Sequence, residues 1–185
     1  CGLNVEALNV YRTTEPLSYY THTRNTPQNI LILENKDPFF SMRSQLLSGH
    51  TEIFGTEVGT LIYGAGKGIL RSFQDFDLCA EPYMKDSRNK ILYFGDLDYE
   101  GIGIYENLAE RFQDRWTIAP FVPAYRAMLQ KANHIYQLPE TKEHQNRNIS
   151  SVFFQYFDNE TVRKMQSVLE ADQYIPQEIL NTSDF

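Results

Sequence analysis

One stretch sets the pattern of the chain: Asn29-Ile30-Leu31-Ile32-Leu33-Glu34-Asn35-Lys36. Its apolar residues are consecutive rather than alternating, which is typical of a strand that is buried on both faces. Asp37 and Pro38 follow, and this pair predicts a helix that starts with Asp37 as its cap. A sheet that is covered on both faces needs helices on each side, so the stretch indicates an α/β fold.

Three further units repeat this order of apolar run and helical pattern. Their apolar runs are residues 58–63, 90–95 and 116–119, and each precedes a segment with apolar residues at helical spacing. Strands that alternate with helices form parallel sheets through crossover connections. We therefore expect an open, Rossmann-like α/β sheet of about four parallel strands flanked by helices, with a helical C-terminal tail.

The length of 185 residues suits a single domain. Residues 1–27 are predicted to be a lead-in strand or linker from an upstream domain, because the chain starts with Cys1 and not with Met. Residues 28–185 are predicted to form the main domain with its helical tail, and residues 133–149 to form a polar loop within it.

The composition excludes several classes of protein. The 17 Lys and Arg residues against 24 Asp and Glu give a formal net charge of −7, which argues against a protein that coats nucleic acid through bulk positive charge. No stretch approaches the ~18 consecutive apolar residues of a membrane-spanning helix. The two cysteines are too few for a disulfide scaffold or a four-thiolate zinc site. We expect a protein without membrane segments in a reducing, cytoplasmic compartment.

Three acidic residues follow predicted strands: Glu34 after the first, and Asp96 and Asp98 after the third. Ligands of open parallel sheets bind at the carboxyl ends of the strands. If the first and third strands are neighbours, as in the order 2-1-3-4, the three carboxylates converge, and they repel one another unless a cation lies among them. Hard oxygen ligands suit Mg²⁺, and such a site can activate water for phosphodiester cleavage.

Other interpretations of these acids stay open. An Asp that follows a parallel strand often caps the next helix, and this alone explains its position. Receiver-like folds also gather acids at strand ends to bind Mg²⁺ and accept a phosphoryl group. The combination of a Glu at one strand end with an Asp-x-Asp at another favours the metal site.

The glycine-rich segment Gly64-Ala65-Gly66-Lys67-Gly68 has two interpretations. It lacks the spacing of a phosphate-binding P-loop, so it can be a flexible turn between a strand and a helix. Alternatively, the backbone at Gly64 and Gly66 and the side chain of Lys67 contact a DNA phosphate.

Two charged residues next to the acids are supporting candidates. Lys36 either neutralises part of the charge of a scissile phosphate or is a solvated lysine. Glu100 either adds an outer carboxylate to the metal site or is simply favourable at the N-terminus of a helix.

Two motifs of the chain resemble the Toprim domain. Glu34-Asn35-Lys36 with Phe39 is similar to its first motif, and the segment Gly95-Asp96-Leu97-Asp98-Tyr99-Glu100-Gly101 is similar to its second. More narrowly, the pair resembles the C-terminal domain of JetD, the nuclease of the Wadjet plasmid-defence system. Residues 169–176 resemble the acidic, Gln-containing stretch that ends that family, although Glu170-Ala171-Asp172-Gln173 departs from the usual Glu-Gln-Glu.

The resemblance implies a Mg²⁺-dependent DNA endonuclease related to the DNA-cleaving chain of topoisomerase VI, with Mn²⁺ as a substitute for Mg²⁺. Glu34, Asp96 and Asp98 would be both metal ligands and catalytic residues. The implied partners are double-stranded DNA, a second copy in a homodimer and an SMC-like defence complex. Two alternatives remain: a non-catalytic module that binds Mg²⁺ or a nucleotide, and a topoisomerase-like transesterase whose nucleophilic tyrosine lies on a separate domain.

Overall fold

The computed structural model describes residues 16–185, which form seven strands, six α-helices and short 3₁₀ helices. The strands are β1 (Ser18–Thr21), β2 (Asn29–Leu33), β3 (Glu52–Ile53), β4 (Thr56–Glu57), β5 (Thr60–Tyr63), β6 (Lys90–Phe94) and β7 (Ile118–Pro120). The α-helices are α1 (Lys36–Leu47), α2 (Gly68–Gln74), α3 (Phe76–Cys79), α4 (Tyr99–Phe112), α5 (Val122–Ala132) and α6 (Asn159–Glu170). Short 3₁₀ helices cover Pro82–Lys85, Phe153–Tyr156 and Gln177–Ile179.

The main sheet has the strand order β1-β5-β2-β6-β7. Strand β2 is parallel to both of its neighbours, β5 and β6, and β7 is parallel to β6. The four predicted strands are therefore present as β2, β5, β6 and β7, in the order 2-1-3-4. This confirms the open α/β sheet flanked by helices.

Strand β1 is an addition to the predicted sheet. It pairs antiparallel with β5 at the edge, although its residues lie in the segment predicted to be a lead-in strand or linker. The rest of that segment, residues 1–15, lies outside the described residues. The boundary between residues 27 and 28 stays a prediction.

The centre of the sheet is formed by buried apolar side chains. Ile30, Leu31, Ile32 and Leu33 of β2 are all fully buried, as the uninterrupted apolar run predicts. Because side chains of a strand alternate between its faces, a run without polar residues requires cover on both. The small β3–β4 hairpin forms a separate two-stranded sheet.

Helix α1 starts two residues earlier than the sequence predicts. Its N-cap is Asn35 and not Asp37, which instead lies in the first turn. There its negative charge is favourable against the helix dipole. Asn35 makes no side-chain cap bond, and its Nδ2 donates to a residue of the site described below. None of the helices in residues 16–185 combines the length and the apolar character needed to cross a bilayer.

Candidate functional site

The register of β2 and β6 brings the predicted acids to one place. Leu33 lies opposite Phe94 at the ends of the two strands, and the backbone N–H of Glu34 donates to Phe94 O at 3.0 Å. Glu34 and Asp96 thus follow the last rung of a shared ladder. Both are buried, as is Asp98.

Gly101, in the first turn of α4, lies where the carboxylates of Glu34 and Asp98 meet the backbone of Asp96. A Cβ atom at this position would lie 3.1 Å from Glu34 Oε2 and 3.2 Å from Asp98 Oδ1. The backbone N–H of Asp96 donates to the same Glu34 oxygen at 3.3 Å. The structure therefore brings together all three acids that the sequence singles out.

Glu34 is held by a buried tyrosine. The hydroxyl of Tyr93, which is fully buried, donates to Glu34 Oε2 at 2.8 Å. Burial raises the pKa of Glu34 to about 8, and the nearby charges of Asp96 and Asp98 act in the same direction, against the two hydrogen bonds to Oε2. At neutral pH and without a cation, Glu34 is therefore largely protonated.

Asp96 receives two donors on one oxygen. Its Oδ1 accepts from Gln177 N at 2.7 Å and from Asn35 Nδ2 at 2.9 Å. Burial raises the pKa of Asp96 to about 6, while the hydrogen bond from the Gln177 backbone opposes the increase. Like-charge repulsion from Glu178 and Asp98 adds to the effect of burial.

Asp98 has a structural role in addition to its place in the cluster. It is the N-cap of α4, with its Oδ1 accepting from Gly101 N at 2.6 Å. Its Oδ2 accepts from the side-chain amide of Gln145 at 2.6 Å. The interpretation of Asp98 as a helix cap is thus correct, and the same side chain is also a member of the acidic cluster.

The carboxylates are not arranged as a finished metal site. Within residues 16–185, no group of three or more His, Cys, Asp or Glu side chains could hold a metal ion as placed. The hydrogen bonds of Glu34 and Asp96 within this range all go to one oxygen of each carboxylate, Oε2 and Oδ1. Burial is the main cause of the raised pKa values of both groups, and it makes their negative charge unfavourable here. A hard divalent cation would offset this charge, and carboxylate oxygens are ligands that suit it.

The glycine-rich segment is engaged with β2. The N–H of Gly64 donates to Leu33 O at 2.7 Å, and the N–H of Gly66 donates to Glu34 O at 3.2 Å. These bonds favour the interpretation of the segment as a strand-to-helix turn. A phosphate contact by Gly64, Gly66 and Lys67 stays a prediction.

The two supporting candidates lie at the exposed rim. Lys67 and Glu100 form an ion pair at 3.2 Å, so each reduces the free charge of the other. The ammonium of Lys36 lies 5.7 Å from the ring centroid of Phe40. The roles of Lys36 and Glu100 at the site stay predictions.

Sequence reasoning missed the tail residue that contacts the site. It singled out residues 169–176, whereas Gln177 is the residue that lies against Asp96. Leu97 and Ile175 form an antiparallel bridge, with N–H···O distances of 2.9 and 3.3 Å, and this bridge leads Gln177 into place. The signal in the sequence was a Gln set between the apolar residues Ile175 and Leu180, both of which are buried.

Gly101→Ala tests how tightly the cluster is packed. The added Cβ would collide with Asp96 O, a backbone atom that cannot easily move, so we expect the free energy of unfolding to fall by about 1–3 kcal/mol. Gly103→Ala is the matched control, because a Cβ there meets nothing within 4 Å on the same helix. The control gains up to about 1 kcal/mol in helix propensity. Urea unfolding measures both, and equal effects would contradict the packing described.

Comparison with known proteins identifies the family to which the chain belongs. Among curated proteins, none matches the chain significantly. A family model described as "Wadjet protein JetD, C-terminal" matches residues 3–180, which is nearly the whole chain and includes all three acids and Gln177. The chain therefore belongs to the family of Wadjet JetD C-terminal regions.

Proposed function

We propose that this chain is a Mg²⁺-dependent DNA endonuclease domain acting in Wadjet plasmid defence. Family membership indicates the defence role. The observation that carries the proposed activity is the convergence of Glu34, Asp96 and Asp98 in a buried setting that disfavours their charge. Beside Gly101, the carboxylates of Glu34 and Asp98 meet the backbone of Asp96. The two sequence motifs that resemble the Toprim domain imply a site built from the same three acids.

In this proposal Glu34 has a different task from the two aspartates. A divalent cation supplies polarisation of the scissile phosphate and lowers the pKa of water. Asp96 and Asp98 offer oxygens whose orientation is fixed by donors from Gln177, Asn35 and Gly101. Glu34 is the candidate general acid or base, because in the absence of a cation burial raises the pKa of its carboxyl well above the ordinary value. Tyr93 fixes the Glu34 side chain for this transfer.

Binding of DNA by an acidic chain requires local positive charge. On α1, which begins two residues after Glu34, Lys36 and Arg43 both lie over the ring of Phe40, at 5.7 and 4.7 Å from its centroid.

The same proposal includes double-stranded DNA as the substrate, a homodimer that cuts both strands, an SMC-like partner and a cytoplasmic location.

A second candidate is a non-catalytic module that binds Mg²⁺ or a nucleotide. The capping role of Asp98 favours it, because a carboxylate bonded to Gly101 and Gln145 already has a structural use. This candidate shares the acidic cluster but predicts no cleavage.

A plasmid assay separates the candidates. The full-length protein is incubated with supercoiled plasmid and Mg²⁺ or Mn²⁺. We expect nicked and linear DNA to form, and we expect EDTA to abolish this cleavage. Binding of Mn²⁺ without any cleavage would refute the nuclease and support the binding module. Product that stays covalently attached to protein after denaturation would instead identify a transesterase.

A further inference from the structure

Gln177 is a fully buried polar residue, and each of its hydrogen-bonding groups near the site has a partner. Its side-chain Nε2 donates to Phe94 O at 2.9 Å, and its Oε1 accepts from Asn35 N at 2.9 Å. Its backbone N–H donates to Asp96 Oδ1 at 2.7 Å. One residue thus contacts the ends of two central strands and one of the acids.

The side chain of Gln177 bonds to the backbone at the point where the hydrogen bonds between β2 and β6 end. The last bond between β2 and β6 runs from Glu34 N to Phe94 O. The next backbone donor, Asn35 N, belongs to the turn into α1 and bonds to Gln177 instead of to a strand. A buried backbone N–H without a partner is costly, so the Gln177 amide extends the pairing by one rung.

Asn35 connects this rung to the acidic cluster. Its backbone N–H donates to Gln177 Oε1, and its side-chain Nδ2 donates to Asp96 Oδ1. The same Asp96 oxygen accepts from Gln177 N. Gln177 therefore acts on Asp96 directly through its backbone and indirectly through Asn35, and both bonds leave Asp96 Oδ2 to other ligands.

We propose that Gln177 is a positioning residue that orients Asp96 for a divalent cation, an inference that rests on the proposed function. Residues that hydrogen-bond to metal ligands fix their orientation, and their loss typically reduces metal affinity by about 10–100-fold. The tail that carries Gln177 is thereby part of the site, although it contributes no metal ligand in this proposal.

Two substitutions of Gln177 test the side chain alone, because the backbone bond to Asp96 remains in both. Gln177→Met keeps the length and removes both amide bonds. Gln177→Glu keeps an acceptor for Asn35 N and loses the donor to Phe94 O. We expect the Kd for Mn²⁺, measured by calorimetry, to rise about 10–100-fold in Gln177→Met and less in Gln177→Glu. The affinity for plasmid DNA in the absence of metal should change less than about twofold, because binding to DNA depends mainly on contacts with its phosphates.

Gln173→Met is the control, since Gln173 lies on the same tail at the bridge to Glu140. Within residues 16–185, none of the hydrogen bonds of the three acids goes to Gln173. A lower melting temperature of Gln177→Met with an unchanged Kd for Mn²⁺ would overturn the positioning role and leave the nuclease intact. Conversely, wild-type protein that binds Mn²⁺ without cleaving DNA refutes the nuclease, while the comparison of Kd values still decides on Gln177. If Gln177→Met does not fold, the comparison rests on Gln177→Glu, which loses the donor to Phe94 O, and an unchanged Kd for Mn²⁺ in that variant overturns the positioning role.

Discussion

Asp96→Asn is expected to abolish Mg²⁺-dependent DNA cleavage while the fold stays intact. The carbonyl oxygen of the new side chain can still accept from Gln177 N and Asn35 Nδ2, so the local structure is kept. An amide nitrogen then replaces the carboxylate Oδ2, and one negative charge is lost. We expect the rate to fall by about 10³-fold or more, the upper part of the range for removal of one preorganised electrostatic contact.

The stability of the same variant makes the prediction specific. Burial raises the pKa of Asp96 to about 6, so its charge is unfavourable in the folded protein at neutral pH. The melting temperature of Asp96→Asn should therefore equal or exceed that of the wild type. Asp114→Asn is the control, because Asp114 is exposed beyond the far end of α4. Plasmid cleavage by Asp96→Asn at the wild-type rate would remove this carboxylate from the mechanism.

The second large effect is a dependence of stability on pH in the absence of a divalent cation. The pKa of Glu34 is raised from 4.5 to about 8 on folding, and that of Asp96 from 3.8 to about 6. The folded state therefore binds more protons than the unfolded state between these values, and stability falls as the pH rises through this window. For Glu34 the loss is on the order of 5 kcal/mol above pH 8, since each pKa unit corresponds to about 1.4 kcal/mol.

Glu34→Gln isolates this effect from the titration of other groups. The amide oxygen can accept from Tyr93 OH, and no carboxylate remains to ionise. Thermal unfolding in EDTA from pH 5 to 9 should show a steep fall for the wild type and a clearly flatter curve for Glu34→Gln. Glu52→Gln, at an exposed position in β3, is the control. Parallel curves for wild type and Glu34→Gln would contradict the raised pKa. Mg²⁺ added at pH 8 should restore much of the wild-type stability, because it binds the folded state.

The centre of the fold and the cluster of acids could be predicted because both follow from local patterns. The apolar run of β2 indicates a buried strand, and its register with β6 places Glu34 beside Asp96. A strand or a linker was predicted for the segment that contains β1, but the pairing of β1 with β5 could not be predicted with the same rules. The four residues of β1 are half-buried or exposed and follow no alternation, so the pairing with β5 depends on the sheet that is already there.

The position of the tail was out of reach for a different reason. Gln177 reaches the site through the Leu97–Ile175 bridge, and no periodicity in the sequence encodes a contact between such distant residues. The expected motif at residues 169–176 overlaps the end of α6, which continues to Glu170. The cap of α1 was misplaced for a related reason, because the Asn35 side chain serves Asp96 rather than its own helix.

The bond between Gln177 and Asp96 spans 81 positions of the chain, and this has a consequence for protein synthesis. The ribosome releases β2, β6 and α4 long before it reaches the tail. A nascent chain thus contains all three acids before Gln177, the residue that bonds to Asp96, has been added. For a protein proposed to cut DNA, translation that stops before Ile175 yields a product whose centre never becomes fully assembled.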